Sequence, residues 1–301
     1  MYLKTDPRSA LAADRQNTPP ATDFAAADFG LFYETPPAID SNGVRTWVTR
    51  GQNFLVAHSE AQAESFVNRE GQLDEYVLLI MDQDTPAVIE ANGETIRIEG
   101  HSIVIVPPGD SRITLPKGGR FSRIFSTRSE DLNQICSNAK SYESPHPNVA
   151  PLRNWPDPVG GFRIRAYSLD VPATPGRFGR IFRCTTLMVN VLDPQIGPRD
   201  ISKLSPHHHD DFEQGSLSLD GSYTHHLRWP WTPDMNVWRE DQHALVRSPS
   251  LTVIPPPVIH TSRGMDEGLN QLIDIFSPPR TDFSNLGWVL NADDYPALEQ
   301  S

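Results

Sequence analysis

The apolar positions fall in short runs rather than at helical spacing. Phe54–Ala57, Tyr76–Ile80, Thr95–Ile98 and Ile103–Val106 are each bounded by turn-type residues, the last by Pro107, Pro108 and Gly109. Several short β-type runs at intervals of roughly 8–12 residues predict a sandwich or barrel. One helix is predicted over 129–139, where Leu132, Ile135, Cys136 and Ala139 share a face. The first 40 residues hold no period, and only Phe24, Phe29, Leu31 and Phe32 offer packing there. A proline-rich stretch from Ser144 to Gly160 interrupts the pattern, which resumes after Phe162 and fades into a polar tail after Phe283. The expected layout is an N-terminal arm (1–45), a β-barrel (46–143), a linker (144–160), a second barrel (161–285) and a tail (286–301).

The two β blocks repeat one another. Ile103–Arg112 aligns with Leu251–His260 at an offset of 148, and Arg123–Asp131 aligns with Asp274–Asp282 at 151. Glu75 and Glu213 match at 138, so the second copy carries about ten extra residues between its motifs. Order, spacing and prolyl turns repeat together, as a duplication would make them.

Composition narrows the reading further. There are 28 prolines in 301 residues, nearly twice the usual share of about 5 %, which excludes a long helical bundle, solenoid or coiled coil. The formal charge of −12 argues against nucleic acid or an anionic membrane as partner. Cys136 and Cys184 are too few for a disulfide framework, and free thiols are expected. No apolar run follows Lys4, and the run Tyr76–Met81 is far below the roughly 20 residues needed to span a bilayer. A soluble, cytoplasmic protein is expected, with a homodimer as the default assembly.

The second copy carries the candidate chemistry. His207, His209 and Glu213 share strand parity and can face one cavity, and His260 follows Pro255–Pro257 at the start of a later strand. Imidazoles with a carboxylate suit Fe(II), Mn(II), Ni(II) or Zn(II) rather than Ca or Mg. Gly221 lies eight residues after Glu213 and seven after Gln214. Parity favours Glu213 as the fourth ligand, with Gln214 as the alternative.

This arrangement of His-x-His, a carboxylate, Gly221 and a proline-led His260 resembles the two motifs of the cupin superfamily. The resemblance covers both β blocks. It implies an all-β fold of two tandem cupin barrels (double-stranded β-helix, jelly-roll) with few short helices. It also implies one divalent transition metal, Fe(II) preferred and Mn, Ni or Zn as alternatives, on His207, His209, Glu213 and His260. The activity it implies is dioxygenation of a small diketone, phenolic or keto-acid substrate. The alternatives are a metal-dependent isomerase or decarboxylase of a sugar or keto acid, or a non-catalytic ligand-binding cupin. Pro257 and Pro249 stand where the family pattern has glycine.

The first copy has Arg69, Gly71, Glu75 and Arg112 at the four ligand positions. Arginine stays protonated and cannot ligate a cation, so this copy is read as a decayed site, with Arg69, Arg112 and Glu75 as a candidate anion pocket. Asp220-Gly221 is a two-residue hairpin signal. Such a hairpin would bring His226 and Arg228 to the metal as catalytic or substrate-anchoring groups and turn His225 outward. Trp229, Trp231 and Trp238, with Pro230 and Pro233, are expected to cap the barrel mouth or pack between barrels. His58, His101, His146 and His243 lack a phased partner and are expected to be structural. No nucleophile elbow, phosphate loop, dinucleotide fingerprint or basic nucleic-acid patch is present.

Overall fold

The computed structural model describes residues 23–232 and 234–298. Residues 1–22 of the expected arm, Pro233 and residues 299–301 of the expected tail lie outside them. Strands dominate; the two α-helices among the described residues, Glu130–Ile135 and Thr281–Asn285, are six and five residues long. No helix there is long and apolar enough to cross a membrane. Both cysteines are buried and unpaired.

Every pairing between the named strands of the described residues is antiparallel. In the N-terminal half a seven-stranded sheet faces a four-stranded one, and in the C-terminal half a seven-stranded sheet faces a three-stranded one. Each half is therefore a two-sheet jelly-roll. The two large sheets stack back to back. Val77, Leu79, Ile103 and Ile105 of one half share an apolar cluster with Leu217, Leu251, Val253 and Ile273 of the other. The opposite face of the first large sheet, with Leu78, Ile80, Val104 and Val106, fills the N-terminal barrel. Burial on both faces explains why these strands read as unbroken apolar runs.

The halves exchange strands. Asp28–Leu31, from the expected arm, pairs with Ser250–Ile254 of the C-terminal sheet, and Arg165–Ser168 pairs with Ser102–Val106 of the N-terminal sheet. The register also repeats the sequence offsets. Tyr76 faces Val106 as Gln214 faces Ile254, and Leu78 faces Arg123 as Ser216 faces Asp274. The two interiors differ in chemistry. Where the N-terminal barrel has Leu78 and Ile80, the C-terminal barrel has Ser216 and Ser218, with Thr252, Asn190 and Asp274 buried alongside.

The hairpin expected at Asp220-Gly221 does not form. Gln214–Asp220 pairs with Ser250–Ile254 and Leu269–Phe276, whereas Ser222–Arg228 pairs with Gln242–Arg247 and Ile259–Gly264. The chain crosses from one sheet to the other instead of folding back. Gly221 makes the crossing at φ +81°, and a Cβ there would sit 2.6 Å from Asn270 Oδ1 and 2.8 Å from the Leu269 carbonyl oxygen.

Leu217 is fully buried between the large sheets, and Leu245 is 65 % exposed. Leu217→Ala is expected to cost about 2–5 kcal/mol, and Leu245→Ala no more than about 0.5 kcal/mol. Urea denaturation of both variants measures the difference.

Candidate metal centre

The segment Ser205–His209 runs beside the strand Ile259–Gly264. His207 and His260 form an antiparallel bridge through N–H···O bonds of 3.0 and 2.7 Å, and His209 lies one alternation further on. One ring nitrogen from each of His207, His209 and His260 lies within 4.8 Å of the others. The Nδ1 atoms of His207 and His260 sit 2.9 Å from the carbonyl oxygens of Ser205 and Val258. Donating there leaves each Nε2 with its lone pair free. Burial, followed by the neighbouring imidazole, pushes the pKa of His209 down to about 2 and that of His260 to about 3; burial also lowers His207. All three rings are neutral at physiological pH, the state a metal ligand requires.

The fourth group is Gln214, and Glu213 is not part of the cluster. Gln214 Oε1 lies 2.9 Å from His209 Nε2 and 3.4 Å from His260 Nε2. Its Nε2 donates to Ser216 Oγ at 3.0 Å and Asp274 Oδ1 at 3.1 Å, which turns the carbonyl toward the imidazoles. Burial raises the pKa of Asp274 to about 7. The expectation for Glu213 counted strand parity through residues 210–213, but the strand begins only at Gln214. Parity from that point sends Gln214, the alternative ligand, inward together with Ser216 and Ser218.

Glu213 instead ties the halves together. Its carboxylate accepts the Gln52 N–H at 2.5 Å and the Tyr142 hydroxyl at 3.0 Å, and lies 3.1 Å from His146 Nδ1. Glu75 mirrors it from the other half. There the carboxylate accepts the Thr185 N–H at 3.1 Å, the Thr185 hydroxyl at 3.0 Å and the Tyr295 hydroxyl at 2.7 Å. His146, expected to be only structural, is held protonated above its ordinary range by Glu213.

His226 and Arg228 lie on the outer face of the three-stranded sheet. His226 Nδ1 is 2.8 Å from His243 Nδ1, and Arg228 pairs with Asp241 at 2.6 Å. With the crossing at Gly221 in place of a hairpin, the parity of this strand is reversed, and His225 faces inward. It is fully buried, its Nδ1 is 2.8 Å from Ser262 Oγ, its Nε2 has no partner, and burial lowers its pKa to about 4.

A cavity of about 80 Å³ adjoins the histidines, bounded by His207, Gln214, His260, Tyr223, Asp274 and Arg199. Arg199 is the one cationic residue on its wall among the described residues, and is fixed by bonds to the Ser262 carbonyl oxygen (2.9 Å) and Ser205 Oγ (3.0 Å). Sequence reasoning missed Arg199, Tyr223 and Asp274. The 151-residue offset pointed to Asp274; nothing local marked the other two. Trp229 packs in a small cluster with Phe24 and Ala27, and Trp231 stacks on Trp238 while remaining 78 % exposed.

The anion pocket expected from Arg69, Arg112 and Glu75 does not assemble. Glu75 faces the seam between halves. A register shift between Gly109 and Ser111 pairs Ser111, not Arg112, with Arg69, and Arg112 lies over the Phe66 ring at 3.6 Å.

No family model matches the sequence, and no curated protein matches it. Solved structures do match in fold. The oxalate decarboxylase of Lactobacillus farciminis, as a formate complex, aligns at TM-score 0.57 with 12 % identity, covering 87 % of this chain and 90 % of that one. A putative glyoxylate-induced protein from Pseudomonas aeruginosa aligns at 0.52 with 14 % identity, covering 88 % and 93 %. Vicilin from Corylus avellana aligns at 0.52 with 12 % identity, covering 79 % and 82 %.

Glu213→Ala is expected to leave metal content unchanged while lowering stability by about 3 kcal/mol, because it strips a buried carboxylate from its donors. Metal analysis and denaturant unfolding of this variant separate the two effects. The raised pKa of His146 makes its contribution full below the unfolded value near 6.5 and lost as pH rises through the folded value. His146→Gln should therefore cost about 1 kcal/mol near pH 6 and little at pH 9, measured by unfolding at both pH values.

Proposed function

We propose that this chain, a bicupin by fold, is a metal-dependent enzyme whose single centre lies in the C-terminal barrel. His207, His209 and His260 would hold the ion, with the Gln214 carbonyl as fourth donor. The observation that carries the reading is the convergence of three neutral imidazoles and one amide oxygen beside a cavity. Nitrogen donors favour a transition ion over Ca or Mg, with Fe(II) preferred and Mn, Ni or Zn as alternatives.

The donor set favours a class of substrate. Three neutral imidazoles and an amide bring no negative charge, so a bound dication retains its full charge toward the cavity. A small anionic oxygen chelate, such as the enolate of a diketone, a phenolate or a keto acid, supplies that charge. Arg199 would anchor a substrate carboxylate, and the Tyr223 hydroxyl, held protonated by burial, would donate to a substrate oxygen. Gln214 is itself oriented by Asp274 and Ser216. A bound redox-active ion would supply both Lewis acidity and electrons for dioxygen, and the leading reading is an Fe(II) dioxygenase. The fold likeness to oxalate decarboxylase favours, as second reading, redox-neutral decarboxylation of a sugar or keto acid on Mn, Ni or Zn.

Tag-free protein is expected to carry close to one transition ion per chain, falling at least tenfold in His209→Ala and His260→Ala; unchanged content in both would reject the site. Anaerobic Fe(II) reconstitution, followed by oxygen-uptake assays over diketones, phenols and keto acids, tests the reaction. Stoichiometric oxygen consumption is the expected result. Carbon dioxide release without oxygen uptake would establish the second reading instead.

A further inference from the structure

The N-terminal barrel has its own chemistry at the place corresponding to the histidine cluster. Strand register equates Tyr76 with Gln214 and Arg123 with Asp274. It likewise equates the Ser111–Arg69 pair with the His260–His207 bridge. The polarity is inverted, with two guanidiniums and two hydroxyls standing where the other barrel has imidazoles, an amide and a carboxylate.

Arg123 has no counter-ion among the described residues. It is 6 % exposed, and its Nε is sealed from solvent without a hydrogen-bond partner. Its guanidinium carbon lies 5.9 and 5.7 Å from the ring centroids of Phe121 and Phe125, near the outer limit of a cation–π contact. Arg69 also lies over Phe125, at 5.4 Å, but is already satisfied by Asp131 and Gln72. Of the two carboxylates that precede Tyr76 in sequence, Glu75 is committed to Thr185 and Tyr295, and Asp74 to Gln72, Ser126 and Arg128. Arginine cannot shed its proton to escape burial, and an unpaired buried charge is strongly unfavourable. Beside it, the Tyr76 and Ser111 hydroxyls bond to each other at 2.8 Å. That bond uses one of their two hydrogens and leaves the second to donate.

We propose that the N-terminal barrel binds one small monovalent anion, chloride or a one- or two-carbon carboxylate, against Arg123 and the Tyr76–Ser111 hydroxyl pair. The anion supplies the missing charge, and its chemistry is separate from that of the metal centre.

The test is thermal melting of the full chain at constant ionic strength, with sodium gluconate replaced stepwise by chloride, formate or acetate. Wild type is expected to show a saturable rise in Tm with at least one of the three, and the most effective ion identifies the ligand. Arg123→Met, which removes the buried charge, is expected to melt no lower than wild type in gluconate and to lose the saturable rise. Tyr76→Phe, which keeps the ring, is expected to retain the fold and need several-fold more anion for half the rise. No saturable rise with any of the three anions, or the same saturable rise in wild type and Tyr76→Phe, would overturn the proposal.

Discussion

The central strands of the two large sheets, Tyr76–Ile80, Ser102–Val106, Gln214–Asp220 and Ser250–Ile254, are buried on both faces, so successive residues serve different parts of the protein. One faces the seam between the halves; the next faces a barrel interior. Leu217 and Val77 belong to the seam, while Ser216 and Leu78 belong to their barrels. Glu213 and Gln214, adjacent in sequence, act on opposite sides of this boundary. The first joins the halves, and the second faces the histidines. Glu75 and Tyr76 divide in the same way, so the seam has kept its carboxylates in both copies while the interiors have diverged.

That separation lets the interiors change without loosening the assembly. The C-terminal interior is polar and holds neutral nitrogen and oxygen donors around a small cavity. The N-terminal interior is mostly apolar, and its polar groups include Arg123, Arg69, the Tyr76–Ser111 and Thr46–Ser59 hydroxyl pairs and the Gln72–Asp74–Ser126 network. Asp274 and Arg123 occupy the same register position with opposite charge. Duplication supplied two equal frames, and a few inward positions set the charge each frame can hold. Fold likeness alone would not distinguish these outcomes.

Much of this was legible in the sequence. The apolar runs marked the strands, the offsets of 138, 148 and 151 marked the repeat, and the imidazoles of His207, His209 and His260 converge as their spacing indicated. The errors were each of one residue and had one cause. Parity was carried through a loop for Glu213, through a crossing read as a hairpin for His225 and His226, and past a register shift for Arg112. Side-chain alternation holds only within an uninterrupted strand, and short motifs do not reveal where a strand begins. The exchange of Asp28–Leu31 and Arg165–Ser168 between halves was illegible for another reason. Such short segments do not record which distant edge they join.

Anomalous diffraction at the absorption edge of the bound metal, on crystals of the Fe(II)-loaded chain, tests the central claim most directly. The account predicts one ion, bonded to His207, His209 and His260 with the Gln214 carbonyl beside it, and Glu213 still engaged with Gln52 and Tyr142. An ion bonded to Glu213, or bound away from the three histidines, would contradict it.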